Sequence, residues 1–120
     1  MYFRSPPLLL MLTNRQFIEG IGTACICYMS ATIYITIGSF ETKVAAAWVG
    51  ASNVFLISLF IYAVAPASGG HMNPMITLAT VLTGLTGFSR GILYMIAQVM
   101  GAALTGGLIR GSFGPELTQR

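Results

Sequence analysis

The chain has 120 residues, of which 55% are hydrophobic and only 8% are charged, and its mean hydropathy is +0.78. These values lie far from those of a soluble domain and predict an integral, multi-pass membrane protein with the lipid bilayer as its surroundings. The formal net charge of +3 comes from basic residues scattered singly along the chain. Nucleic acid is excluded as an expected partner, because no basic cluster is present for a phosphate backbone to select.

Three apolar segments are predicted to cross the membrane, because each is close to the roughly 20 residues that a hydrocarbon core about 30 Å thick requires. A fourth segment starts with Pro74, which suits the first position of a helix, and at about 1.5 Å per residue it covers only half of a bilayer. The predicted order is an N-terminal tail (1–15), a first crossing (16–40), a second crossing (44–65), a loop (66–73), a half-length helix (74–83), a third crossing (90–110) and a C-terminal tail (111–120).

The loop before the half-length helix breaks the apolar pattern with the residues Ser-Gly-Gly-His-Met-Asn-Pro at positions 68–74. Irregular backbone at membrane depth is tolerated only where it is buried in protein or lines a watery cavity, so this loop is predicted to belong to a pore or binding site. The half-helix N-terminus would direct a positive dipole end at the bilayer midplane and repel cations. Asn73 can cap that helix and donate to water or a solute, while the carbonyl groups of Gly69, Gly70 and His71 supply acceptors.

Three motifs resemble those of the major intrinsic protein family, the aquaporins and aquaglyceroporins. The loop, Ser-Gly-Gly-His-Met-Asn-Pro-Met-Ile-Thr at 68–77, resembles the family's Ser-Gly-x-His-x-Asn-Pro-Ala-x-Thr. Glu-Gly-Ile-Gly-Thr at 19–23 is similar to Glu-x-x-Gly-Thr of the first helix, and Tyr-Met-Ile-Ala-Gln-Val-Met-Gly-Ala at 94–102 is similar to Tyr-x-x-x-Gln-x-x-Gly-Ala of the third. The resemblance covers about residues 16–110. It implies an all-α membrane protein of three transmembrane helices plus one re-entrant half-helix, which is the first repeat of the aquaporin-like fold.

The resemblance also implies roles for individual residues. The predicted pore-lining residues are Gly69, Gly70, His71, Asn73, Pro74, Met75 and Asn53. Met75 replaces the usual Ala after Asn-Pro, as in divergent members such as the X intrinsic proteins of plants and fungi, and its flexible side chain is expected to shape the constriction. Glu19 and Gln98 are implied to hold the pore loop.

Other interpretations of these polar residues stay open. Glu19 is either that support or a proton-coupling carboxylate, since an ionisable group inside a span is a functional hypothesis by default. Gln98 is either a brace or a substrate contact, and Asn53 is either an outer-filter residue or a hydrogen-bonding group between helices. His71 has no second His and no acidic neighbour in the loop, so it is interpreted as a loop-stabilising or pore-lining residue rather than a metal ligand or pH switch.

The predicted function is passive conduction of water or small neutral solutes such as glycerol, by a channel or a fragment of one. Neither a cofactor, a metal site nor an enzymatic activity is predicted, because no nucleophile with its base, phosphate cradle or metal-ligand set is apparent. The family fold has two inverted halves, and these residues match the first. A fragment of a longer channel is the favoured interpretation over two copies that associate as a homo-oligomer. The alternative function is a non-conducting membrane protein that only associates with full-length channel subunits.

Overall fold

The protein is described by a computed structural model that covers residues 8–40 and 43–117. Four helices follow one another: α1 (Leu8–Gly38), α2 (Ala45–Ser68), α3 (Pro74–Leu82) and α4 (Phe88–Leu117). Across those described ranges the chain is helical and has no strand. Three helices contain segments long and apolar enough to cross a membrane, namely Asn14–Gly38, Ala45–Ser68 and Phe88–Pro115. The predicted all-α membrane architecture is confirmed.

The helix α1 lies at the centre of the packing, since it contacts both α2 and α4, while α3 packs against α4. Small residues allow α1 and α4 to approach closely: a Cβ atom added to Gly101 would lie 2.1 Å from the carbonyl oxygen of Gly20. Further along both helices, Thr105 Oγ1 donates to the carbonyl oxygen of Ala24 at 2.9 Å. Because the contacts advance in the same direction along both helices, α1 and α4 run parallel.

The first and the last helix extend into the predicted tails. The first begins at Leu8, so part of the predicted N-terminal tail is helical, and the last runs from Phe88 to Leu117, beyond the predicted end at residue 110. In the last helix Gly114 has a non-helical backbone, with φ 76° and ψ 167°. Local apolar length sets the minimum for crossing a bilayer, and a helix is free to continue into the interface where water satisfies its ends. The outer parts of the predicted tails, 1–7 and 118–120, lie outside the described residues.

The end of α2 also differs from the prediction, and the difference shortens the loop. Pro66 lies inside the helix, which continues to Ser68 instead of ending at residue 65. Pro removes one backbone hydrogen bond and its ring crowds the carbonyl group four residues earlier, which weakens a helix, but membrane helices tolerate it and can continue past it. Gly69 ends it in the left-handed conformation, with φ +107°, and its N–H donates to the carbonyl oxygen of Ala65 at 2.9 Å. The connection to α3 therefore consists of only five residues, 69–73.

Candidate functional site

The five-residue loop between α2 and α3 has an unusual backbone. Gly69 and Gly70 have positive φ angles of 107° and 67°, and so does Met72, at 41°, although it carries a side chain. Gly70 also lies close to α2, because a Cβ atom there would be 3.1 Å from the carbonyl oxygen of Ile61. Only glycine adopts such φ angles without steric cost, so the Gly-Gly pair permits this turn against α2.

The carboxylate of Glu19, on α1, holds this loop in place. Its Oε1 accepts hydrogen bonds from Ser68 Oγ at 2.6 Å and from the His71 N–H at 3.0 Å. Its Oε2 accepts from the Met72 N–H at 2.5 Å and from Gln98 Nε2 at 2.8 Å. Glu19 is fully buried, with 0% of its surface exposed. Four donors converge on two oxygens, an arrangement that satisfies a group able only to accept.

The amide of Gln98, on α4, links Glu19 to the half-helix α3. Its Nε2 donates both to Glu19 and to Thr77 Oγ1, the latter at 3.0 Å. Thr77 Oγ1 also lies 3.1 Å from the Asn73 carbonyl oxygen and 3.2 Å from His71 Nδ1. Both Gln98 and Thr77 are fully buried. The network therefore joins α1, the loop, α3 and α4 through side chains that lie out of reach of solvent.

Tyr94 supports the other end of the loop. Its hydroxyl group donates to the carbonyl oxygen of Ser68 at 2.7 Å, and only 1% of the residue is exposed. Its ring meets that of His71 edge to face, with centroids 5.6 Å apart. Sequence reasoning assigned no role to Tyr94, Ser68 or Thr77, although all three lie inside the quoted motifs. Their positions in those motifs are the sequence feature that could have indicated a role for them.

The half-helix α3 starts as its sequence predicts. Asn73 is the N-cap residue, and its Oδ1 accepts from the Met75 N–H at 2.9 Å, while Pro74 occupies the first helical turn. Because Oδ1 serves the cap, Nδ2 is the donor of that amide, and no described residue accepts from it. The Asn73 side chain is exposed, and that of Met75 is 70% exposed. The structure thus presents these two side chains at the open tip of the half-helix.

Asn53 lies apart from the other predicted site residues. It is about 22 Å from Ser68 along α2, at about 1.5 Å per residue. Its Oδ1 accepts from Ser30 Oγ on α1 at 2.5 Å, and its Nδ2 donates to the carbonyl oxygen of Val49 at 2.9 Å. Asn53 thus forms a hydrogen bond between two helices, as one of its two interpretations predicted. Its place in an outer filter stays a prediction.

Known proteins are similar to this chain over the residues described above. The family model described as "Major intrinsic protein" matches residues 11–119. Similar curated proteins include probable aquaporin PIP2-8 of Oryza sativa subsp. japonica, which is 32% identical over 94% of this chain and 44% of that protein. Aquaporin PIP2-7 of Musa acuminata is 32% identical over 73% of this chain and 34% of its own length. Aquaporin-B of Dictyostelium discoideum is 34% identical over 73% of this chain and 29% of its own length.

The chain spans less than half the length of these curated relatives. No solved structure matches it. The family match nevertheless extends over most of the chain and includes the Glu19 network, the capped half-helix and the three long apolar helices. It also agrees with the motifs at 19–23, 68–77 and 94–102. We conclude that the chain is an integral, multi-pass membrane protein and that it belongs to the major intrinsic protein family.

Proposed function

We propose that this chain forms part of a channel through which water or small neutral solutes such as glycerol cross a membrane passively. This proposal rests on the fixed orientation and the exposure of the Asn73 side chain. Its Oδ1 is occupied by the Met75 N–H at 2.9 Å, and its exposed Nδ2 has no acceptor among the described residues. An amide donor held in a fixed orientation at the tip of a half-helix can replace one hydrogen bond that a solute loses when it leaves bulk water.

The charges around the loop support a neutral solute. The N-terminus of α3 carries the positive end of a helix dipole, and exclusion of cations by half-helix dipoles is an established mechanism of aquaporin-type pores. Both oxygens of Glu19 are buried and already accept hydrogen bonds, so this carboxylate is not available to coordinate a cation. A solute beside Asn73 therefore meets donors and a positive dipole end, which disfavours a cation.

A complete path would need a second wall. The nine residues of α3 span about 13 Å, less than half of a hydrocarbon core about 30 Å thick. We infer that this wall is supplied by further protein: a second copy, a full-length channel subunit or another segment. Met75, at the tip of α3, would face that wall, and its long side chain would set the width available to water or glycerol.

The proposal is tested by osmotic shrinkage of vesicles that contain the chain, followed by stopped-flow light scattering with water and with glycerol gradients. The informative variant is Asn73→Asp. Asp caps a helix as well as Asn does, so α3 is retained, but the variant replaces the Nδ2 donor with an oxygen that only accepts and that carries negative charge. We expect the protein-dependent permeability to fall by about fivefold or more, the effect of one hydrogen bond in the barrier.

The matched control is Ser58→Ala, on the exposed face of α2, where the hydroxyl group bonds only to its own helix through the Val54 carbonyl oxygen. Its permeability should equal that of the wild type. If the wild-type vesicles shrink no faster than bare lipid, the claim that this chain conducts unaided is wrong, and association with other channel subunits becomes the better explanation. If Asn73→Asp conducts as well as the wild type, the role given to Asn73 is wrong.

A further inference from the structure

The imidazole ring of His71 uses one of its two nitrogens within the described part of the protein. Its Nδ1 lies 3.2 Å from Thr77 Oγ1, and no described residue bonds to Nε2. In the described ranges the only buried side-chain nitrogen or oxygen without a partner is Gln16 Nε2, so the unpartnered Nε2 of His71 is not buried. A neutral imidazole has one donor nitrogen and one acceptor nitrogen. What Nε2 offers to a solute therefore depends on which nitrogen holds the proton.

The orientation of the Gln98 amide is fixed by Glu19. A carboxylate only accepts, so the Gln98 atom that lies 2.8 Å from Glu19 Oε2 is the nitrogen Nε2. The same nitrogen donates to Thr77 Oγ1 at 3.0 Å. The other amide atom, Oε1, is fully buried with its residue and lies 3.2 Å from the Thr77 hydroxyl group. That hydroxyl group is the one donor to Oε1 among the described residues.

The single proton of the Thr77 hydroxyl group therefore serves Gln98 Oε1. The Asn73 carbonyl oxygen, 3.1 Å from Oγ1, already accepts the Thr77 N–H at 3.0 Å. If His71 Nδ1 lacked a proton, it would compete with Oε1 for this one hydrogen, and one of the two acceptors would stay unpaired. If Nδ1 carries the proton, it donates to the second lone pair of Oγ1, and all of these groups are paired.

Gly69 leaves the opposite edge of the ring uncovered. A Cβ atom on Gly69 would lie 3.5 Å from His71 Nε2 and 3.6 Å from Cδ2, so a longer side chain at this position would cover both atoms. The ring is held in place by Thr77 at Nδ1 and by its edge-to-face contact with Tyr94. His71 thus has a fixed ring whose second nitrogen stays accessible.

We propose that the proton of neutral His71 resides on Nδ1, so that Nε2 is a bare acceptor for a hydrogen bond from water or from a hydroxyl group of glycerol. Two residues further along the loop, the exposed Asn73 Nδ2 is a donor. A solute beside both residues meets one acceptor and one donor, which suits a molecule whose hydroxyl groups do both. Only this solute contact rests on the proposed function, since the position of the proton does not depend on transport.

The position of the proton is tested by NMR on protein with ¹⁵N-labelled histidine rings. His71 is the only histidine of the chain, so it gives the sole ring signal when the protein is purified without a histidine tag. The spectrum is recorded in micelles at about pH 8.5, where an imidazole ring is ordinarily neutral. We expect a protonated Nδ1 and a bare Nε2, identified by their couplings to the carbon-bound ring protons. A protonated Nε2 would overturn the proposal.

Thr77→Val removes the acceptor of the Nδ1 proton and should give a mixture of the two tautomers. The matched control is Thr80→Val on the same half-helix, where the hydroxyl group bonds to the Thr77 carbonyl oxygen at 2.8 Å, and it should leave the spectrum of His71 unchanged. Equal spectra of the two variants would show that Thr77 does not set the tautomer. If Thr77→Val does not fold, the wild-type spectrum still decides where the proton lies.

The solute contact is tested by vesicle shrinkage with His71→Asn. The Asn amide can place an N–H group near the position of Nδ1, but it has no counterpart of Nε2 and it is smaller than the ring. A wider path by itself would raise the permeability to water and glycerol, whereas loss of the acceptor should lower it by about fivefold. An unchanged or raised permeability would overturn the contact.

Failure of conduction is distinguished by a second measurement in micelles. If wild-type vesicles shrink no faster than bare lipid, the proposed function fails, but the ring protons that flank Nε2 should still show cross-relaxation with water. Absence of that cross-relaxation would overturn the role of Nε2 as an accessible acceptor, whether or not the vesicles conduct.

Discussion

Replacing Glu19 with Gln tests how the loop between α2 and α3 is held. The carboxylate accepts four hydrogen bonds, two on each oxygen, and the amide of Gln offers one accepting oxygen and one donating NH₂ group. Whichever way that amide is oriented, its NH₂ group faces two donors. One of them is always a backbone N–H group, that of His71 or that of Met72.

The size of the effect follows from which partners can adapt. The Ser68 hydroxyl group can rotate to accept, and the Gln98 amide can turn over, so these two can recover a bond with Gln at position 19. A backbone N–H group cannot. We therefore expect the loss of one hydrogen bond to a charged acceptor, about 1.5–3 kcal/mol in the free energy of unfolding. Glu19→Ala should lose more, since both backbone N–H groups are then left unpaired in a buried site.

The measurement is amide hydrogen exchange of His71 and Met72 in micelles, together with unfolding by a denaturing detergent followed by circular dichroism. Exchange at one or both amides should become about ten- to a hundredfold faster in Glu19→Gln, because the loop opens more easily. Ser58→Ala is the matched control and should change neither quantity. Unchanged exchange and an unchanged unfolding midpoint in Glu19→Gln would refute the argument that this carboxylate holds the loop.

Two further predictions concern helix packing and the other end of the loop. Gly101→Ala should lower the free energy of unfolding by about 1–3 kcal/mol, because the added Cβ atom would lie 2.1 Å from the Gly20 carbonyl oxygen. The control is Gly107→Ala, at a position with open space, which should leave the free energy of unfolding unchanged or raise it by up to about 1 kcal/mol. Equal effects of the two variants in the detergent titration would contradict the close approach of α1 and α4. Tyr94→Phe removes the 2.7 Å hydrogen bond to the Ser68 carbonyl oxygen and should lower the free energy of unfolding by about 1 kcal/mol. An unchanged midpoint in the same detergent titration would contradict a stabilising role for this bond.

The network around Glu19 also accounts for the strained residue in the loop. Met72 has a φ of +41°, which residues with a side chain seldom adopt, and its N–H group donates to Glu19 Oε2. Its side chain is buried, with Sδ close to the position that a Cβ atom on Gly22 would occupy. The unfavourable backbone is therefore held from both sides, by a charged acceptor and by packing against a glycine of α1.

Properties that depend on neighbouring residues could be predicted from the sequence by itself. Apolar length identified the three long helices, because the thickness of a bilayer sets that length regardless of the rest of the fold. Asn73 and Pro74 identified the start of the half-helix, since a cap and a proline act within one helical turn. The end of α2 was missed by three residues, because Pro66 is also compatible with a helix that continues past it.

Tertiary structure alone decided which distant groups meet. Glu19 bonds to Ser68 and Gln98, which are 49 and 79 residues away along the chain, and periodicity indicates only which face a residue occupies, not which other face packs against it. The motif resemblance implied that Glu19 and Gln98 support the loop, but the central position of Thr77 and the bond from Tyr94 to Ser68 emerged only from the packed helices. Asn53 shows the same limit, since its partner Ser30 is set by how α1 and α2 pack together.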